Sequence, residues 1–337
     1  MTEAVQPARI AILGAGAIAQ VVHLPILTGM RGVQVIGLLD ADRPKAATVA
    51  QRFDVPHLYA SPEELWEADD LDAVIVCTPS HLHESQSAEG LGAGKYIFCE
   101  KPLALTANGV DRVLQVARNE GRLMVGMNQR FRPDAVALKK LVAGGELGEI
   151  QYVRAGWLNR RLGRSPQGWR RHKSDAGGGA LMELGVQMLD LSLWLLGYPA
   201  PVRIVAHLHA PSPDAVEDSA VLLLELEGAR IVNLEVTWKM VSARERQYLQ
   251  LIGRAGSAGF PPLEVFSYAE GTAVDVSPQL SPARENPFTA SYRQELATFV
   301  EAVRSRSPIE PPVEQTTLML VVEAAYHSAA NGAEVRF

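Results

Sequence analysis

Between residues 8 and 127, short and almost wholly apolar runs alternate with segments that carry helix-start signals. The runs are Arg9 to Leu13, Val33 to Leu39, Ala73 to Cys77, Tyr96 to Cys99 and Leu123 to Gly126. Continuous aliphatic or β-branched stretches of that length suit strands covered on both faces, and His57 to Tyr59 predicts a weaker sixth. Ser61-Pro62-Glu63-Glu64 reads as a helix start, with Ser as cap, Pro in the first turn and Glu64 closing a capping box. Thr106 opens another helix, which Gly121 ends. This alternation predicts a parallel sheet with helices on both sides.

After about residue 128 the pattern changes. Gln151 to Trp157, Val202 to Leu208, Ala220 to Leu226, Ile231 to Trp238 and Gln247 to Ile252 read as strands of a largely antiparallel sheet, with Glu227-Gly228 as a tight hairpin connection. Helices are predicted at Ser291 to Arg304 and Thr316 to Ser328. A length of 337 residues fits two domains. The division expected is an α/β Rossmann domain over 1–127 and an α+β domain for substrate binding and oligomerisation over 128–337.

Composition narrows the partners. Asp and Glu number 38 against 32 Lys and Arg, so the long-range field repels a phosphate backbone, and no nucleic-acid partner is expected. Cys77 and Cys99 lack the spacing of a zinc site or a redox pair, so no metal is expected and a reducing, cytoplasmic setting is. Ile10 to Ala19 has no preceding basic segment and reads as strand plus glycine turn rather than a signal core. Leu181 to Leu196 is short for a bilayer and contains Glu183 and Asp190, which predicts a buried helix and no membrane partner.

Gly14-Ala15-Gly16-Ala17-Ile18-Ala19 follows the first strand and opens a helix, the context in which Gly-x-Gly-x-x-Ala has mechanical meaning. Gly14 permits the turn, Gly16 lets the backbone approach a pyrophosphate, and Ala19 keeps helix and strand close. The phosphates meet the helix N-terminus around Ala17 and Ile18. Asp40, about twenty residues on, suits the ribose hydroxyls and opposes a 2′-phosphate, which favours NAD. Arg43 offsets that repulsion and leaves NADP open.

Ligands of such sheets sit beyond the carboxyl ends of the strands, where Cys77-Thr78-Pro79-Ser80 and Cys99-Glu100-Lys101-Pro102 lie. Glu-Lys-Pro there resembles the signature of the Gfo/Idh/MocA family of glucose-fructose oxidoreductases and inositol dehydrogenases. Thr78-Pro79 with His83, Asn128-Gln129-Arg130-Phe131, Gly177-Gly178-Gly179-Ala180-Leu181 and Tyr326-His327-Ser328 follow the family order over nearly the whole chain. The resemblance implies that Thr78, Pro79, His83 and Glu100 belong to the cofactor pocket. It also implies that Lys101 lies near both nicotinamide and substrate hydroxyl, with Asn128 and Arg130 on the substrate side. A desolvated Lys101 beside a cationic ring can share the substrate proton.

Glu183, Gln187, Asp190 and Trp194 are spaced four, three and four apart, one polar stripe on an otherwise apolar helix. A substrate pocket would satisfy such groups, and so would an ion pair with Arg130, Arg132 or Arg170. The resembled dehydrogenases carry Asp in place of Glu183 and His, the general base, in place of Gln187. An amide orients a hydroxyl but takes no proton at neutral pH, so Glu183, Lys101 or His172 must serve as base if one is needed. The basic loop Asn159 to Lys173, with Trp169 and His172, reads as a solvated surface or subunit contact, or as a selector of anionic sugars.

Hydride transfer between a nicotinamide and a secondary alcohol or ketone of a sugar, polyol or sugar acid is the leading expectation. Two others use the same resemblance: a redox-assisted glycoside hydrolase, and a non-catalytic NAD(P)- and sugar-binding regulator. By analogy, the free face of the second sheet predicts a homodimer or homotetramer.

Overall fold

A computed structural model describes residues 6–160, 167–269, 271–280 and 285–337. Contacts divide the chain into two compact units. One holds the described residues up to Asn128 together with Thr289–Gln315, the other Gln129–Phe288 and Thr316–Phe337. The division expected from sequence was continuous along the chain, whereas here the first unit takes back a late helix.

The first unit is built on β1 (Ala8–Leu13), β2 (Val33–Leu39), β3 (His57–Leu58), β4 (Ala73–Val76), β5 (Tyr96–Glu100) and β6 (Leu123–Gly126). They pair in parallel in the order β3-β2-β1-β4-β5-β6, the doubly wound arrangement with its switch between β1 and β4. Full burial of β4 and β5 explains why these runs carry no polar alternation. Ser61 accepts from the Glu64 amide and Thr106 from the Gly109 amide, so both expected caps form. The helix Pro287–Ser305 contributes Tyr292, Leu296, Phe299, Val300 and Val303 to the same core as Ile10, Ile12 and Phe98.

The second unit carries β7 (Ile150–Leu158), β8 (Pro201–His209), β9 (Ser219–Leu226), β10 (Arg230–Thr237), β11 (Arg246–Gly253), β12 (Gly256–Phe260), β13 (Glu264–Ala269), β14 (Thr272–Asp275) and β15 (Val335–Arg336). Their order is β14-β13-β12-β11-β7-β10-β9-β8-β15, antiparallel throughout except for the central β7–β10 pair. The parallel pair follows from chain path, because the helical segments 168–196 and strands β8 and β9 intervene before β10 returns beside β7. Burial alternates along β9, where Leu222, Leu224 and Leu226 face in and Val221 and Leu223 face out. The helical run Lys173–Leu196 is long and apolar enough to cross a membrane by length and composition, yet 83% of its apolar window is buried inside the protein.

Candidate active site

All six strands of the first sheet run the same way, so the residues that follow them share one edge. The turn after β1 is forced by contact. Gly14 has φ +100°, and a Cβ there would sit 2.7 Å from the Cys77 carbonyl carbon beyond β4. Its amide donates to Leu39 O at 2.7 Å, which closes the turn onto the end of β2. Gly16 differs: it has no positive φ, and the nearest atom to a Cβ would be Cys77 O at 3.9 Å. Nothing in the protein demands glycine there, so the demand is for open space beside the backbone. The helix begins at Ala17 and Ile18, and Ala19 is fully buried behind it. Space at Gly16 and a helix start together fit a dinucleotide pyrophosphate.

Asp40 is braced rather than isolated. Its Oδ2 accepts from the Ala15 amide at 2.7 Å, and its Oδ1 accepts from the Asp42 amide at 2.8 Å and lies 2.9 Å from Lys45 Nζ. The cation beside Asp40 is therefore Lys45. Arg43, expected in that place, donates instead to the Tyr59 carbonyl.

Thr78 Oγ1 donates to Gln86 Oε1 at 2.6 Å, and Pro79 leads through the short turn Ser80–Leu82 into the helix His83–Gly92, which His83 opens. The His83 ring is buried between two backbone carbonyls, with Nδ1 2.7 Å from Pro102 O and Nε2 2.9 Å from Thr78 O. Burial holds its pKa below the ordinary value, against the opposing pull of the two carbonyls. His83 thus braces the Thr78 turn against the Glu-Lys-Pro turn. Glu100 is buried at the end of β5; its Oε1 lies 2.8 Å from His23 Nε2, and its Oε2 accepts from the Lys101 amide at 3.3 Å. Burial alone would raise this carboxyl, but the hydrogen bond with His23 and the positive charge of Lys101 hold it below the usual range. Lys101 itself is half-buried. Asn128, beyond β6, donates to Ser291 Oγ at 3.0 Å within the same unit.

In the second unit, each of the three glycines has its own cause. Gly177, at φ +75°, ends the helix Lys173–Ala176. A Cβ on Gly178 would collide with the Tyr326 hydroxyl, and one on Gly179 with the Glu217 carbonyl. Glu217 is the organiser of this segment. Its Oε1 accepts from the Gly179 amide at 2.8 Å, the Leu181 amide at 3.0 Å and Tyr326 Oη at 2.9 Å. Burial pushes its pKa up. The expected Tyr326-His327-Ser328 motif is thereby accounted for in part, since Ser328 accepts the Ala206 amide while His327 is exposed.

The following helix opens as a π segment, Leu181–Gly185, and continues as α-helix over Val186–Leu196. Glu183 is partly exposed, with Arg170 Nε 3.9 Å from its Oε1, and Gln187 is buried and donates to the Glu183 carbonyl at 2.8 Å. Asp190 belongs to an ion pair. Arg130 binds it with Nε at 2.8 Å and a terminal nitrogen at 2.5 Å, and Tyr198 donates to it at 2.5 Å. The polar stripe therefore divides: Asp190 pairs with Arg130 and Tyr198, whereas Glu183 lies beside Arg170 and Gln187 donates to the helix backbone. Trp169 stacks under Arg170 at 4.3 Å, and His172 is exposed. Arg161 and Arg164 of the basic loop lie outside the described residues.

Sequence reasoning missed His23, Lys45, Gln86 and Glu217. The Cys residues at the ends of β4 and β5 are both free and buried, and burial raises both thiols, Cys99 to about 12. Among the described residues no cluster of three His, Cys, Asp or Glu stands ready to hold a metal ion.

Residues 8–128 match the model of an oxidoreductase family with an NAD-binding Rossmann fold, and residues 135–259 match the C-terminal domain model of the same GFO/IDH/MocA group. A D-glucoside 3-dehydrogenase of Escherichia coli K12 is 27% identical, over 98% of this chain and 97% of its own. A putative UDP-kanosamine synthase oxidoreductase subunit of Amycolatopsis mediterranei is 30% identical, over 75% of this chain and 76% of its own. Among solved structures, GenD2 from gentamicin A biosynthesis in complex with NAD is 27% identical, with a TM-score of 0.85 over all of this chain and 98% of that one.

Proposed function

The chain belongs to the GFO/IDH/MocA family of NAD-binding oxidoreductases, and from that premise we propose that it is an NAD-dependent dehydrogenase of a sugar or sugar derivative. The relatives named for a glucoside and for a nucleotide sugar support a pyranoside-type substrate with a secondary alcohol. One observation carries the reading: the Gly14 turn, the open backbone at Gly16, braced Asp40 and the Glu100-Lys101-Pro102 turn all stand at one edge of a single parallel sheet.

Bound nicotinamide supplies the hydride acceptor. The chain's own residues bind, orient and move the proton. Asp40 would accept from the adenosine ribose hydroxyls, and the helix start at Ala17 and Ile18 would hold the pyrophosphate. Oxidation of a carbinol removes a hydride from carbon and a proton from oxygen, so a base is needed. Within the first unit, Lys101 would take that proton in its amine form; within the second, Glu183 offers a carboxylate and Gln187 an amide to a substrate hydroxyl. Asp190 and Arg130 hold the helix rather than touch ligand, as their mutual bidentate pairing supports.

Incubation with NAD and a panel of glucosides, inositols, aldoses and sugar acids, followed at 340 nm, tests the reading; NADH formation with at least one of them is expected. Because Gln187 takes no proton, a second reading stays open, in which NAD remains bound and is restored each cycle during glycoside cleavage. Stoichiometric NAD in the purified protein, with glycoside consumed and no net NADH, would select it. The outward Val205, Val221, Leu223 and Ile252 of the second sheet support pairing with a further copy, and two free buried thiols support a cytoplasmic setting.

A further inference from the structure

Ala19–His23, just after the glycine turn, is a π-helical segment, and it delivers a wholly buried His23 ring to Glu100. The rest of the ring meets aromatic edges, with Phe98 and Tyr292 centroids 5.6 and 6.1 Å away, and Nδ1 has no partner. A proton on Nε2 completes the pair with the Glu100 carboxylate, whereas one on Nδ1 would find no acceptor. The other titratable groups acting on Glu100 or facing it are Lys101, His83, Cys77, Cys99 and Tyr292. Removing the His23 donor would leave a buried carboxylate supported by one long bond from the Lys101 amide, and burial would then favour its protonated form. π segments of this kind concentrate at functional sites.

Resting on the cofactor reading above, we propose that His23 is a positioning residue that keeps Glu100 an anion, and that this buried anion makes the protein hold the oxidised, cationic nicotinamide in preference to the reduced, neutral one. His23 thereby links the helix that receives the pyrophosphate to the turn that carries Lys101. Calorimetric titration of the full chain with NAD+ and with NADH, each separately, tests this by the ratio of the two affinities.

In Glu100→Gln and in His23→Phe the ratio shifts against NAD+ by about tenfold, the scale of one lost charge in a partly buried site. The double variant shifts no further than either single one. His23→Gln, whose amide can still donate, stays within about threefold of the parent. Equal weakening of both nucleotides in Glu100→Gln or His23→Phe overturns the inference and leaves His23 a packing residue. Should His23→Phe not fold, an unmoved ratio in Glu100→Gln overturns it as well. No heat from the parent protein with either nucleotide would overturn the cofactor reading itself.

Discussion

At the scale of single residues, the cofactor reading makes a prediction about the charge around Asp40. Lys45 lies 2.9 Å from one carboxylate oxygen while the Ala15 amide occupies the other, so the net field at the ribose position is less negative than Asp40 alone would make it. Lys45→Ala should weaken NADP binding about three- to fivefold, the worth of a partly exposed ion pair, and leave NAD within about twofold; titration with each nucleotide checks it. Glu217 gives a second residue-level expectation. A carboxyl whose folded pKa is raised binds its proton more tightly folded than unfolded, so it costs stability as pH climbs above the ordinary 4.5. Glu217→Gln should therefore flatten the decline of melting temperature between the usual carboxylate range and neutrality. Gly14, Asp40 and Lys101 were legible because each occupies a fixed place relative to a strand end. His23, Lys45 and Glu217 were not, because their partners come from other segments: Glu100 from β5, Asp40 from the end of β2, and the Gly179 and Leu181 amides from a turn some forty residues away.

At the scale of elements, strand placement was readable to within a residue or two at most ends, since full burial and strict alternation each leave an unambiguous pattern. The helix Pro133–Ala143 and strands β12 to β15 were not anticipated. β12 is Gly-Ser-Ala-Gly-Phe, with no β-branched residue to mark a strand, and β14 is four residues exposed along their length, so it shows no buried alternation. The helix of the polar stripe was placed correctly but its first turn is π, which shifts Glu183 relative to an ideal 3.6-residue period and turns the Gln187 amide onto the Glu183 carbonyl. The Gln187 amide takes no proton, so a substitution there tests what the position does. Gln187→His places a titratable ring where the amide now stands, and it should raise kcat by about tenfold or more with a new acidic limb near the ordinary imidazole range. A pH profile of the parent and the variant on the same substrate reads this directly. An unchanged profile would mean that position 187 does not meet the reacting hydroxyl.

At the scale of the whole molecule, chain order and compactness disagree, and the disagreement makes a prediction about folding. The first unit leaves its own core at Asn128 and resumes at Thr289, and the two ends are held together, since Asn128 donates to Ser291 at 3.0 Å. Phe299 on the returning helix is fully buried and packs edge-on to Phe98 with centroids 5.6 Å apart. Phe299→Ala should cost about 3–5 kcal/mol in that unit, as for other fully buried aromatic truncations. A fragment ending at residue 128 lacks this cover and should stay unfolded or aggregate, because Ile10, Ile12 and Phe98 lose the residues that close their core. Joining Asn128 to Thr289 through a flexible linker of about six residues, and ending at Gln315, restores the cover with little loop entropy. That shortened chain should melt cooperatively and be stabilised by NAD, by about 2.7 kcal/mol at a hundredfold excess over its Kd. If it melts without cooperativity while the intact protein does not, the first unit depends on the second for its fold, and the closure of its core by Pro287–Ser305 is insufficient.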